Sequence, residues 1–128
     1  MTSKPVCPKS VAAPTANYAL GVSTWYANQW LHTAGIGPTQ PNGSVPDDIG
    51  DQAAAIWVTL RALLADEKMT AAEVVSITTY VVAGYDITPV MAARDSALGG
   101  RKCASTLVYV PALAVATWKV EIALVAAK

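Results

Sequence analysis

Carboxylate, imidazole and thiol are the side chains that move protons or attack carbon, and in this chain Glu121, His32 and Cys103 carry them in contexts that need explaining. Glu121 stands in T-W-K-V-E-I-A-L-V-A, Thr117 to Ala126, a run that is otherwise apolar apart from Lys119. Side chains alternate across a pleated strand, so Trp118, Val120, Ile122 and Leu124 share one face while Lys119, Glu121, Ala123 and Val125 share the other. A carboxylate buried there without a partner is costly, so Glu121 reaches solvent, pairs with a cation such as Lys119, or lines a cleft. His32, the single histidine, lies between Leu31 and Thr33. It reads first as a packed or interfacial residue, and as a second proton-transfer group only if its face shares a cleft with Glu121. Cys103 belongs to no Cys-His-acid pattern that would mark a thiol nucleophile. With Cys7 it makes too few cysteines for a disulfide scaffold and offers no metal-ligand spacing, so both read as reduced thiols, with an intrachain bridge as the alternative.

The elements that must position these groups follow from local pattern. Residues 1–16, with Pro5, Pro8 and Pro14, read as an extended N-terminal arm that gains order by lying on something else. Alternation from Tyr18 to Thr24 predicts a strand, Asn28-Gln29 a turn, and Trp30 to Gly35 a second strand that closes a hairpin. Gly37 to Pro46 is a loop. Asp47 or Asp48 caps a helix running to about Asp66, with Ile49, Ala53, Ile56, Trp57, Leu60, Leu63 and Leu64 on one stripe. Thr70 and Glu73 form a capping box before Val74 to Val82, a β-branched run suited to a central strand. Asp86 or Thr88 caps a second helix with Pro89 in its first turn, and Gly99-Gly100 ends it near Leu98. Ala104 to Val110 is the fourth strand, and Pro111 interrupts before the last one. Two helices among five strands predict an α+β or α/β sandwich with both helices on one face of the sheet. The uncovered sheet face then calls for a second copy of the chain.

The totals fit this picture. The 128 residues suit a single domain, residues 1–128, with one core. Nine basic and nine acidic residues give zero net charge, so the electrostatic footprint of a nucleic-acid binder is missing. Trp25, Trp30 and Trp118 therefore read as packing residues and not as a base-stacking platform. Charged residues make up 14% of the chain and hydrophobic ones 53%, which points to surface hidden in a subunit interface. No apolar run approaches a membrane span and the N-terminus lacks a signal-peptide core, so the expectation is a cytoplasmic protein with no membrane partner.

Five local patterns in order resemble the Rid/YjgF superfamily of reactive intermediate deaminases: Tyr18 on the first strand; A-G-I-G-P with Ala34, Gly35 and Pro38; a helix with Gln52 early and L-R-A-L-L at its end; V-V-S-I-T-T-Y-V; and A-S-T-L followed by W-K-V-E-I-A. The resemblance implies an α+β, chorismate-mutase-like fold and a homotrimer with clefts between subunits. It also implies hydrolysis of an imine or enamine small-molecule substrate to a keto acid and ammonia, without cofactor or metal. Glu121 is then the catalytic acid-base or water-positioning residue. Tyr18, Gly35, Thr106, Cys103, His32 and Ala104 are the substrate-binding positions, with Gly35 letting backbone approach the ligand.

One departure bears on substrate. Relatives of this kind carry an arginine before the Ser-Thr of the fourth strand, suited to a bidentate grip on a substrate carboxylate, and here that position is Ala104. A family asparagine on the second helix is likewise replaced by Met91. Arg101 and Lys102 are the neighbouring cations that strand geometry does not guarantee as substitutes. The expectation is a Rid-type hydrolase with altered substrate range. The alternatives are a non-catalytic ligand- or partner-binding trimer of the same fold and, weakened by the neutral charge, ribonuclease or translation inhibition.

Overall fold

The structure, a computed structural model, describes residues 2–128. In chain order its elements are β1 (Ser3–Val6), β2 (Gly21–Thr24), β3 (Trp30–His32), α1 (Ile49–Asp66), a 3-10 turn (Ala71–Glu73), β4 (Val74–Val82), α2 (Thr88–Leu98), β5 (Ala104–Val110) and β6 (Val120–Ala127). The main sheet has the order β3-β6-β4-β5, with β4 parallel to β5 and the other pairs antiparallel. A parallel pair needs a long crossover, and α2 supplies it. The result is the α+β fold of a mixed sheet with two helices.

Alternation decides which sheet face the helices cover. On β4, Ile77, Thr79 and Val81 are buried while Ser76, Thr78 and Tyr80 are half-buried, and on β6 Val120, Ile122 and Leu124 are buried between half-buried Glu121, Ala123 and Val125. The buried set joins Ile56, Trp57, Leu60 and Leu64 of α1 and Val90 and Leu98 of α2 in one core. Each large apolar side chain so removed from water contributes about 1.5–3 kcal/mol before entropy is counted. The other face, including Thr106, Val108 and His32, stays open in the single chain.

Helix ends follow the local chemistry. Asp48, not Asp47, caps α1, its carboxylate accepting the Asp51 N–H at 3.1 Å. The Thr70–Glu73 capping box forms ahead of β4. The Asp86 carboxylate accepts the Thr88 N–H at 2.9 Å before α2, a contact that holds its pKa below the usual value. Gly99 ends α2 with φ 59°, a left-handed conformation that glycine adopts without strain.

The hairpin expected between the first two sequence-derived strands does not form. β2 pairs with β1, Val22 facing Pro5, and β3 pairs with the C-terminal β6, His32 facing Val125. Within the extended N-terminal arm, residues 3–6 form a strand, ordered by pairing with β2. A Lys-Pro sequence hides that from periodicity, while Pro is tolerated at an edge. β2 begins at Gly21, so Tyr18 precedes it, and β3 ends at His32, short of Gly35. β6 starts at Val120 and runs to Ala127, because Thr117 and Trp118 still belong to a turn closed by the Trp118 N–H on the Val115 carbonyl.

Candidate functional site

Between β3 and β6 the ladder is interrupted in a way that fixes one carboxylate. The Thr33 N–H donates to the Leu124 carbonyl at 3.0 Å, and the Thr33 hydroxyl accepts the Leu124 N–H at 2.9 Å. Pairing resumes where Ile36 and Ile122 exchange both backbone hydrogen bonds, at 2.8 and 3.1 Å. Ala34 and Gly35 therefore stand opposite Ala123 alone. This bulge is a device that re-aims backbone next to functional groups. It brings Gly35 against Glu121: a Cβ on Gly35 would lie 2.7 Å from the Glu121 carboxyl carbon and closer still to Oε2. Glu121 is half-buried and has no ion-pair partner among the described residues. Lys119 does not neutralise it; that ammonium donates to the Asp47 carbonyl and stands 5.1 Å from the Tyr85 ring centroid.

The remaining expected site residues gather elsewhere on the chain. Tyr18 leads into Ala19, whose N–H donates to the Cys103 carbonyl at 2.9 Å and which bridges Ala104 in parallel. Tyr18, Cys103 and Ala104 are thereby neighbours along the edge of β5. Across the sheet, His32, Val125, Ser76 and Ala104 form one row, Ala123, Thr78 and Thr106 the next, and Glu121, Tyr80 and Val108 the next. Rows two residues apart are separated by about 6.6 Å and strands by about 4.8 Å. Glu121 thus lies about 13 Å along the sheet from the rows of His32 and Ala104. Within one chain Glu121 meets Gly35 and Tyr80, and it meets neither His32 nor Ala104.

His32 lies on the open face with its ring stacked on Trp30, centroids 6.3 Å apart, at the edge of a depression of about 80 Å³ floored by Ser76, Thr78 and Ala123. Cys103 is buried, and burial pushes its thiol up from the ordinary value against the opposing pull of Arg101 and Arg94. A buried, high-pKa thiol is a poor nucleophile. Both thiols are free, Cys7 exposed and Cys103 buried. Arg101 does not replace an arginine at position 104, since its guanidinium donates to the Ala71 and Val74 carbonyls at 3.0 and 2.6 Å.

Two buried polar side chains hold these groups in place. Gln52, 0% exposed, donates to the Pro46 and Thr117 carbonyls at 2.8 and 3.0 Å and accepts the Lys119 N–H at 2.8 Å. It ties the loop after Gly35 to the chain leading into Glu121. Arg94, 7% exposed, pairs with Asp95 at 3.1 Å and donates to the Ser105 hydroxyl and the Asn17 carbonyl at 3.2 and 3.4 Å. It pins the segment before β2 to β5 and so sets Tyr18. Arg94 does not stand out in the sequence. The signal that reveals it is its spacing from Val90 and Ala97, which places it on the apolar stripe of α2.

Chemically, a held carboxylate without a cation beside it, next to exposed glycine backbone, can accept and return a proton at a small bound molecule. A concavity of about 380 Å³ opens at the end of the sheet by Trp118 and Lys119.

A family model described as endoribonuclease L-PSP matches residues 9–128. The fold closely matches a solved structure from Yersinia pestis described as YyfB, a protein of unknown function of the conserved Rid family, with TM-score 0.89, 24% identity and full coverage of both chains. Yeast Mmf1 aligns with TM-score 0.72 and 18% identity over 99% of each chain. A putative endoribonuclease L-PSP from Entamoeba histolytica aligns with TM-score 0.74 and 18% identity, over 98% of this chain and 99% of that one. No curated protein sequence matches.

Proposed function

The chain belongs to the endoribonuclease L-PSP family, part of the Rid/YjgF superfamily, and on that premise we propose that it hydrolyses a reactive imine or enamine, with Glu121 as the acid-base group. The observation that carries this reading is the Glu121 carboxylate, half-buried, held against Gly35 and free of any cation partner among the described residues. As water adds to the imine carbon, Glu121 accepts its proton and passes one to the nitrogen; the C–N bond then breaks, and a carbonyl compound and ammonia leave. Tyr18 and Thr106 shape the substrate pocket of an assembled homotrimer, in which a neighbouring copy brings the Ala104 end of one sheet towards the Glu121 end of the next. Ala104 removes the guanidinium grip at that point, so the substrate is one that carries no carboxylate there.

A second reading, a ligand-binding trimer without turnover, is favoured by that same alanine. A ribonuclease, the activity named for some structural neighbours, is disfavoured by zero net charge, because phosphate contacts dominate nucleic-acid affinity.

The deciding experiment assays the purified chain and Glu121→Gln against a panel of imines, with enzymatically generated 2-aminoacrylate among them, and measures solution mass alongside. The expectation is a mass three times 13.3 kDa, slow 2-aminoacrylate turnover, and loss of about 10²-fold or more in kcat for Glu121→Gln at unchanged mass. No acceleration on any imine, with ligand affinity retained, would favour the binder.

A further inference from the structure

The cavity at the end of the sheet adjoins the Glu121 row. Beyond the Glu121–Tyr80 and Val120–Val81 pairs, the Val82 N–H donates to the Lys119 carbonyl at 2.9 Å, so the ladder continues to Lys119. Lys119 is two residues from Glu121, about 6.6 Å along the strand. The cavity, about 380 Å³, is walled by Trp118, Tyr85, Pro111 and Leu113, a size and lining suited to a small molecule. Trp118 is a fixed wall: its ring packs so closely on Gly37 that no Cβ fits there, and its Nε1–H donates to the Thr39 hydroxyl at 3.3 Å. Among the described residues Lys119 is the one cation on the lining and Asp47 the one anion, so the lining offers a single ammonium to the carboxylate of an acid. An ammonium has three donors. One goes to the Asp47 carbonyl, which leaves two for a ligand.

We infer that this cavity is the anion subsite of the Glu121 site, with Lys119 holding the carboxylate of a singly charged organic acid whose apolar or aromatic body lies against Trp118 and Tyr85. The charge contact that Ala104 cannot make is thereby supplied from the strand that carries Glu121. The inference rests on Glu121 as the reacting group.

Phenylacetate and its neutral amide, titrated into the isotope-labelled protein by NMR, test it. Phenylacetate should shift the Trp118 indole N–H signal, lose about tenfold or more in affinity in Lys119→Met, and recover in Lys119→Arg. Phenylacetamide should bind both the parent and Lys119→Met alike. Equal phenylacetate affinity in Lys119→Met, or shifts centred on Tyr18 and Ala104, would overturn the subsite. Lys119-dependent binding in a protein that turns over no imine would support the subsite and remove the hydrolase reading. Imine turnover without Lys119-dependent binding would do the reverse.

Discussion

The carboxyl group of Glu121 rests on the Cα of Gly35, two strands' worth of chain brought together by the Ala34-Gly35 bulge: a Cβ on Gly35 would sit 3.1 Å from Glu121 Cγ and 2.7 Å from Cδ. Gly35 lies at the surface and is not among the residues with positive φ, so what glycine supplies here is space for the carboxylate.

Gly35→Ala should therefore act on the carboxylate and not on the fold. Turnover of a competent imine should fall about tenfold or more through a displaced Glu121, while stability changes by less than about 1 kcal/mol. Steady-state kinetics and thermal melting on the same preparation check this, and a large drop in melting temperature would contradict it.

Gln52→Leu keeps the volume roughly but leaves the Pro46 and Thr117 carbonyls and the Lys119 N–H without their partner. Buried groups left unpaired cost about 1–3 kcal/mol each when water cannot reach them. A loss of about 2–4 kcal/mol in urea unfolding is expected, with faster amide exchange at Lys119.

Arg94→Met removes the ties to Ser105 and Asn17 and leaves Asp95, which is partly exposed, unpaired. Because solvent reaches Asp95, the expected destabilisation is about 2 kcal/mol and not the full penalty of an abandoned buried charge. The Ala19 amide, bonded to the Cys103 carbonyl, should lose hydrogen-exchange protection first.

Burial raises the Cys103 thiol pKa above its ordinary value. The unfolded thiol ionises first as pH rises, so this group's stability contribution is complete below about pH 8.5–9 and is lost as pH climbs towards the folded-state pKa. Cys103→Ala should flatten the alkaline part of the stability profile. Alkylation at neutral pH should label Cys7 and spare Cys103 until denaturant is added.

The sequence by itself determined the parts whose signal is local. The β-branched run Val74–Val82 marked a central strand, alternation around Glu121 gave the faces of the last strand, the stripe from Ile49 to Leu64 gave α1, and Gly99 gave the end of α2, because each depends on local propensity, backbone period or a single dihedral. The ordered patterns from Tyr18 to W-K-V-E-I-A were enough to place the superfamily. Tertiary structure alone decided which strands pair. The stretch around Trp30 looks like the partner of the preceding strand, yet it joins β6, nearly a hundred residues on, because pairing partners are chosen by long-range packing that local periodicity does not encode. The same reason explains why Gly35 meets Glu121, why Gln52 and Arg94 brace the site from within the core, and why His32 and Ala104 lie in a row about 13 Å along the sheet from the carboxylate.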